Sequence, residues 1–343
     1  MSENIGHAAN LSACVRINKD FTHAFLPSVF VLVFVVGTLS NVWGLRGVCR
    51  RWTKIGNINI FMLNLGMADL LYLFTLPFLV AYYAQNSRWT FGQIFCKVTR
   101  FCFNLNLYGS IGFLTCISIY RYLGIVHPMK VMGKITSCHS VAISLLVWVF
   151  VIVQILPDMF FDKTFPNSSH SCFDTTSDHL IRSYLPYSIG WTVTGFVVPL
   201  LIILTCYGHV MVVLATKANV NPLLKQRCLK LVIILVLLFS ICFIPYHVFR
   251  NLNLQTRILK LEGSCHTSFH NVYIAHQIGR GLACLNSALN PLIYLVGNDD
   301  FLMKLNDFNK RARMSLAGLT GAFIYRRPTE GDLPSDTQEL GEL

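Results

Sequence analysis

The run SYLPYSIGWTVTGFVVPLLIILTCYGHVMVVLAT, from Ser183 to Thr216, carries no Asp, Glu, Lys or Arg. About 20 mostly apolar residues suffice for a helix to cross the hydrocarbon layer of a bilayer, so this run is long enough to span with residues to spare. Working outward, six more stretches fit the same description: Ala24 to Leu45, Ile55 to Ser87 (broken only by Asp69), Phe101 to Tyr120, Ile135 to Pro157, Leu231 to Phe249, and Gly281 to Asn298, the last beginning near Val272. Seven recurrences exclude seven separate buried core helices. The composition agrees: 54% of the 343 residues are hydrophobic, mean hydropathy is +0.53, and 13% are charged, about half the share usual in soluble chains. The net charge of +12 does not point to a nucleic acid polymer, because the basic residues flank long uncharged runs. The sequence predicts an all-α membrane protein, a seven-transmembrane helix bundle in contact with lipid.

Orientation follows from Lys and Arg in the short loops. With the N-terminus outside, inner loops and tail hold seventeen basic residues and outer segments seven, while Lys97, Arg100, Arg250 and Arg280 fall at or within the outer halves of spans. The first 24 residues lack an apolar h-region, so no cleavable signal peptide is expected. The sequons at Asn10 and Asn167 both fall outside, where glycosylation occurs. The predicted organisation is an extracellular segment 1–23, a transmembrane domain 24–298, an amphipathic helix 299–313 on the inner surface and a disordered cytoplasmic tail 314–343. Phe301, Leu302, Leu305 and Phe308 supply the apolar face of that helix. Of twelve cysteines, Cys14, Cys96, Cys172 and Cys265 lie outside. An oxidising exterior favours bridges among them, with three pairings open to four cysteines.

Each span also carries a marker residue or motif: Asn41; Leu65-Gly66-Met67-Ala68-Asp69; Arg121-Tyr122; Trp148; Pro199 with Tyr207; Phe239-x-x-Cys242-Phe243-x-Pro245; and Asn290-Pro291-Leu292-Ile293-Tyr294. On these the chain resembles the rhodopsin-like (class A) G-protein-coupled receptors over about residues 20–315. Within that class, Cys96-Lys97-x-x-Arg100-Phe101, Asn106-Leu107-Tyr108-Gly109-Ser110, Cys172 through Asp178, Pro245 through Arg250 and Gln277 through Gly281 resemble the metabotropic purinoceptors, nearest to the adenosine-diphosphate branch. The resemblance implies a Cys96–Cys172 bridge, which leaves Cys14 with Cys265. It also implies a plasma-membrane receptor for an extracellular nucleotide such as ADP or ATP, coupled to a heterotrimeric G protein. A succinate receptor is a cousin that shares the three arginines, and it supplies the runner-up ligand, a small dicarboxylate.

The residues themselves carry a physical reading. Arg100, Arg250 and Arg280 come from three spans with no acidic residue inside a span near them, so an anionic ligand is expected to neutralise them. The planar guanidinium suits phosphate or carboxylate bidentately. His247 shares a helix face with Arg250. Asp174, Asp178 and Glu262 are the loop acids within reach, and Asp174 joins the ligand set. Tyr108, Phe173, Tyr246 and Tyr273 are candidates to sandwich a base, and Asn253 and Gln277 to read its edge. Asp69 reads as the only acid within a span, and a charge at mid-membrane costs roughly 2.5–3.5 kcal/mol or more. Ser110, Asn286 and Asn290 lie at matching depth, with Asn106 and Ser287. An anion ringed by amides and hydroxyls suits a small cation, and the resemblance implies a structural sodium ion; no other cofactor is expected. For activation, the resemblance singles out Arg121, Tyr207, Phe243, Pro245 and Tyr294. Tyr120 stands where the family has an acid beside Arg121, so Arg121 is expected to be less restrained.

Two other classes compete. An anion transporter is expected to show internal repeats and broken helices, and no repeat is seen. An intramembrane enzyme is the third class, but the sequence shows no His/Cys/Glu metal cluster, and one buried carboxylate cannot form a paired-acid site.

Overall fold

A computed structural model describes residues 18–49, 56–128, 135–163, 172–216 and 222–292. Among these there is no strand. Six helices are long and apolar enough to cross a membrane: Asp20–Cys49, Asn57–Ala84, Gln93–Val126, Ser137–Phe160, Asp178–Thr216 and Val232–Leu261. A seventh helix, Ser268–Leu289, packs against spans six and one. It is less apolar because its inward side holds His276, Gln277, Arg280, Asn286 and Ser287, all buried. Span three is the hub, in contact with spans two, four and five. Outward faces carry residues such as Leu39, Leu146 and Val153, each about two-thirds exposed. In a spanning bundle these meet lipid, and helices are used because every backbone polar group must be satisfied internally.

Several spans run beyond the limits drawn between charged residues. Span three starts at Gln93 and ends at Val126, because Arg100 turns into the bundle rather than ending the helix. Span one starts at Asp20, and span seven at Ser268 rather than near Val272. Span four passes Pro157 in a 3-10 turn, Leu156–Phe160. Pro157 costs span four one i to i−4 bond, and the chain tightens there into the 3-10 turn instead of ending.

Proline shapes three spans. Span two pauses between Leu73 and Leu76, ahead of Pro77, and the Thr75 hydroxyl donates to the Tyr72 carbonyl at 2.7 Å. Spans five and six each contain one π-helical stretch, Val193–Val197 before Pro199 and Phe239–Phe243 before Pro245. The missing proline N–H removes an i to i−4 bond, and the wider turn accommodates the loss. Span seven meets that bend closely: a Cβ on Gly279 would lie 3.1 Å from the backbone of Tyr246 and 3.2 Å from that of Pro245. Any side chain at this position would require the two backbones to part by a few tenths of an ångström.

Candidate functional site

The disulfide between Cys96 and Cys172 ties the loop between spans four and five to the first turn of span three. One turn further on, Arg100 donates from Nη2 to the Cys172 carbonyl at 2.9 Å. The chain then presents Phe173, whose N–H donates to the Lys163 carbonyl at 2.7 Å, and Asp174. The Asp174 Oδ2 lies 3.5 Å from Arg280 Nη1 and 3.6 Å from His276 Nε2. Burial alone would raise the Asp174 pKa, but Arg280, then His276 and Arg100, hold the carboxyl well below the usual carboxylate range.

Asp174, one of the loop acids expected within reach of the arginines, pairs with Arg280. One expectation needs correction: Asp69 is not the only acid inside a span, and an acid inside a span does lie near the arginines. Asp158, in the turn that extends span four, is 2% exposed and connects to Arg250 through Tyr184. Its charge is tolerated because Lys163 Nζ, Tyr184 Oη and Asn104 Nδ2 all donate to it, at 2.7, 2.7 and 3.2 Å. Burial lowers the Lys163 pKa, and the Asp158 carboxylate opposes that shift.

Arg100, Arg250 and Arg280 are buried together at this end of the bundle. Arg250 donates from Nη2 to Tyr184 Oη at 2.8 Å, and its guanidinium carbon lies 4.2 Å from the Trp191 ring centroid. Arg280 donates to Tyr83 Oη at 2.9 Å and to Gln277 Oε1 at 3.2 Å, so Gln277 is engaged by Arg280. His247 is stacked on Phe196 at 4.3 Å and lies 5.6 Å from Tyr108, sharing a face with Arg250 but packed among rings. Tyr273 is hydrogen-bonded to Thr22 of span one at 3.1 Å, and Asn253 is buried in span six. Arg100 Nε, Arg250 Nε and Nη1, and both His247 nitrogens are buried with no hydrogen-bond partner among the described residues. Buried polar groups left without partners are rare and costly, and for the guanidinium N–H donors of Arg100 and Arg250 an anion is the partner such groups select.

Sequence reading missed Tyr83, Tyr184, Trp191, Asp158 and Lys163. A signal existed for span five: Tyr184, Tyr187 and Trp191 recur at helical spacing and form one aromatic stripe.

A second polar cluster lies deeper. Asp69 is fully buried and accepts from Asn106 Nδ2 at 2.7 Å and from Asn290 Nδ2 at 3.0 Å on each oxygen. Asn290 also donates to Ser110 Oγ at 3.3 Å, and Ser287 Oγ to Asn106 Oδ1 at 2.9 Å. Asn286 is buried with both amide atoms unpartnered, and Asn290 Oδ1 is likewise unpartnered. These direct partners of Asp69 are neutral. Asn290 Nδ2 thus bridges both Asp69 oxygens and Ser110 Oγ. Carboxylate, hydroxyl and amide oxygens are of the types a hard cation takes, so the Asp69, Ser110 and Asn290 side chains suit a sodium ion once that amide turns its oxygen inward, whereas Asn286 makes no hydrogen bond to Asp69 among the described residues.

At the opposite end, Tyr120 Oη accepts from Asn57 Nδ2 at 3.1 Å, so the residue standing in place of the acid is engaged by span two. The Arg121 Nε is buried without a partner among the described residues. Tyr207 and Phe243 are buried in the core, and Pro245 opens the helical segment after the π turn. Cys265 is disulfide-bonded; Cys14, expected to be its partner, lies outside the described residues, as do Asn10, Asn167, Tyr294 and the segments 299–313 and 314–343.

Comparison with known proteins adds an independent line. A family model described as "7 transmembrane receptor (rhodopsin family)" matches residues 40–294. Purinoceptor 1 of Homo sapiens is 40% identical over 313 residues, 89% of this chain and 83% of the relative's. Purinoceptor 1 of Bos taurus is 41% identical over 314 residues, with the same shares. 2-oxoglutarate receptor 1 of Rattus norvegicus is 34% identical over 301 residues, 88% of each chain.

Proposed function

Because the chain belongs to the rhodopsin family of seven-transmembrane receptors, we propose that it is a cell-surface receptor for an extracellular nucleotide, an adenine nucleotide such as ADP or ATP. It signals through a heterotrimeric G protein from the plasma membrane, with its N-terminus outside. The observation that carries the ligand class is the set of unpartnered nitrogens on Arg100 and Arg250 beside Arg280, whose counter-ion among the described residues is a loop carboxylate. A phosphate chain can supply several charge-assisted bonds at once, and the surrounding rings of Tyr108, Phe173 and Tyr246 suit a base. Likeness to the purinoceptors supports the same choice. The basic cluster and the likeness to a 2-oxoglutarate receptor support the second reading, a small dicarboxylate.

The steps follow from the chain's own residues. An arriving anion competes with Asp174 for Arg280 and binds the free donors of Arg250 and Arg100. These sit on spans seven, six and three, so one ligand ties three helices together. The bends at Pro245 and Pro199 let such a tie alter the other end, where Arg121 lies. A sodium ion held by Asp69, Ser110 and Asn290 would neutralise the buried carboxylate and favour the resting arrangement.

The test is G-protein nucleotide exchange in membranes bearing the receptor, read against ADP, ATP, adenosine, succinate and 2-oxoglutarate. Response to ADP or ATP without response to adenosine supports the reading. Response to the dicarboxylates alone transfers it to the second ligand class, and uptake of an anion without exchange would make the chain a transporter.

A further inference from the structure

Arg250 is the least conventionally held of the three arginines. It touches no carboxylate among the described residues, yet its position is specified at one remove. A carboxylate can only accept hydrogen bonds and a guanidinium can only donate, whereas a tyrosine hydroxyl does both. The chain Arg250 Nη2 to Tyr184 Oη to Asp158 Oδ1, at 2.8 and 2.7 Å, therefore has one polarity. The Tyr184 proton goes to Asp158 and its lone pair to Arg250. Tyr184 is fully buried, and its ring is fixed edge-on against Phe161 at 4.9 Å. Trp191 backs the guanidinium on another side.

The other partners of Asp158 explain why the relay leaves Arg250 its charge. Lys163 is 1% exposed, donates to Asp158 at 2.7 Å and also donates to the Thr175 carbonyl. One buried acid is thus matched by one buried base, and Arg250 stays a net cation with Nε and Nη1 free. A direct Asp158–Arg250 pair would have quenched it. Asn104, one turn after Arg100 in span three, completes the set on Oδ2. Four elements converge on one carboxylate: span three, the extension of span four, the loop that follows it, and span five.

We propose that Asp158 and Tyr184 are positioning residues for anion recognition. Asp158, charge-balanced by Lys163, orients the Tyr184 hydroxyl, and that hydroxyl fixes Arg250 so that its remaining two nitrogens meet a multiply charged oxyanion, a nucleoside polyphosphate or a dicarboxylate. The inference rests on the anionic-ligand reading above and adds to it the residues that set its geometry.

The decisive experiment is a double-mutant cycle, because a merely structural role would not depend on Arg250. Asp158→Asn leaves Lys163 buried without its counter-ion and invites misfolding, so the cycle uses Tyr184→Phe, which removes one hydroxyl and keeps the packed ring. Surface level is measured for each variant, and exchange is read with ADP, ATP and 2-oxoglutarate as probes. In the native background Tyr184→Phe should raise the half-maximal concentration of the active probe by about 3- to 12-fold, the worth of one hydrogen bond. In an Arg250→Ala background the same change should shift it less than about 2-fold, since coupled residues are not additive. Equal shifts in both backgrounds, or no shift in either, would overturn the proposal while leaving the anionic ligand intact. If Arg250→Ala itself changes nothing for any anionic probe, the positioning role falls, and the anionic reading falls with it only if Arg100→Ala and Arg280→Ala are silent as well.

Discussion

The Asp174 carboxylate, in the loop between spans four and five, lies 3.5 Å from the Arg280 guanidinium of span seven. The loop thereby places its own anion on the residue that a ligand anion must reach. Asp174 is 26% exposed, so the pair contributes about 1 kcal/mol or less. Asp174→Asn should lower the melting temperature of the ligand-free, solubilised receptor by about 2 °C, and a saturating anionic agonist should close that gap by taking over the charge. Because the Asp174 pKa is depressed, the contribution is present above the unfolded carboxylate range and is lost only as pH falls through the lowered folded value. The difference between native and variant melting temperatures should hence stay constant between about pH 5 and 8. Identical melting curves at neutral pH would show that the pair carries no weight.

Replacing Arg100, Arg250 or Arg280 by Ala should raise the half-maximal agonist concentration by about 10- to 150-fold, since hydrogen bonds involving charged groups contribute roughly 1.5–3 kcal/mol. Lysine should restore part of the loss, because a point charge cannot reproduce the forked contact. Dose-response curves at matched surface expression decide the matter. Unchanged potency in all three alanine variants would contradict an anionic ligand.

Asp69→Asn should abolish any sodium dependence of agonist affinity, because the neutral amide removes the buried carboxylate that Asn290 links to Ser110. Competition binding with sodium exchanged for a bulky organic cation reads this directly. A native-like sodium effect in the variant would place the ion elsewhere.

Gly279→Val should reduce folding yield and stability by about 1–3 kcal/mol, the usual cost of overpacking. Its Cβ would press on the backbone of Pro245 and Tyr246, which cannot rotate away as a side chain can. Thermal stability of the solubilised receptor is the measurement, and native stability would mean that spans six and seven separate at little cost.

Breaking the Cys96–Cys172 bridge by paired serine substitution should sharply lower surface expression and agonist response. The bridge closes a segment with 76 residues of sequence separation, for which chain entropy alone predicts about 4–5 kcal/mol, an upper bound for a chain already confined in a bilayer. The bridge also holds the carbonyl that Arg100 donates to. Normal trafficking and potency in the double serine variant would show that packing holds the loop without it.

Much of this molecule was decided by sequence alone. The number of spans was legible because a bilayer imposes a minimum apolar length, a requirement of one dimension that a linear string can display. The three arginines and Asp69 were legible for the same reason: a charge inside an apolar run stands out wherever the chain later folds. What the string could not display is which charge faces which. Asp158 hid behind Pro157, because proline ends some helices and begins others, and only the backbone shows the 3-10 turn that carries span four onward. Tyr184 reads as one more aromatic until it is found between Asp158 and Arg250. Arg250 and Asp158 are far apart in the chain and meet through a third residue, so no spacing rule connects them. Hydrogen-bond partners are chosen by distances of about 3 Å, and those distances exist only once the helices have packed.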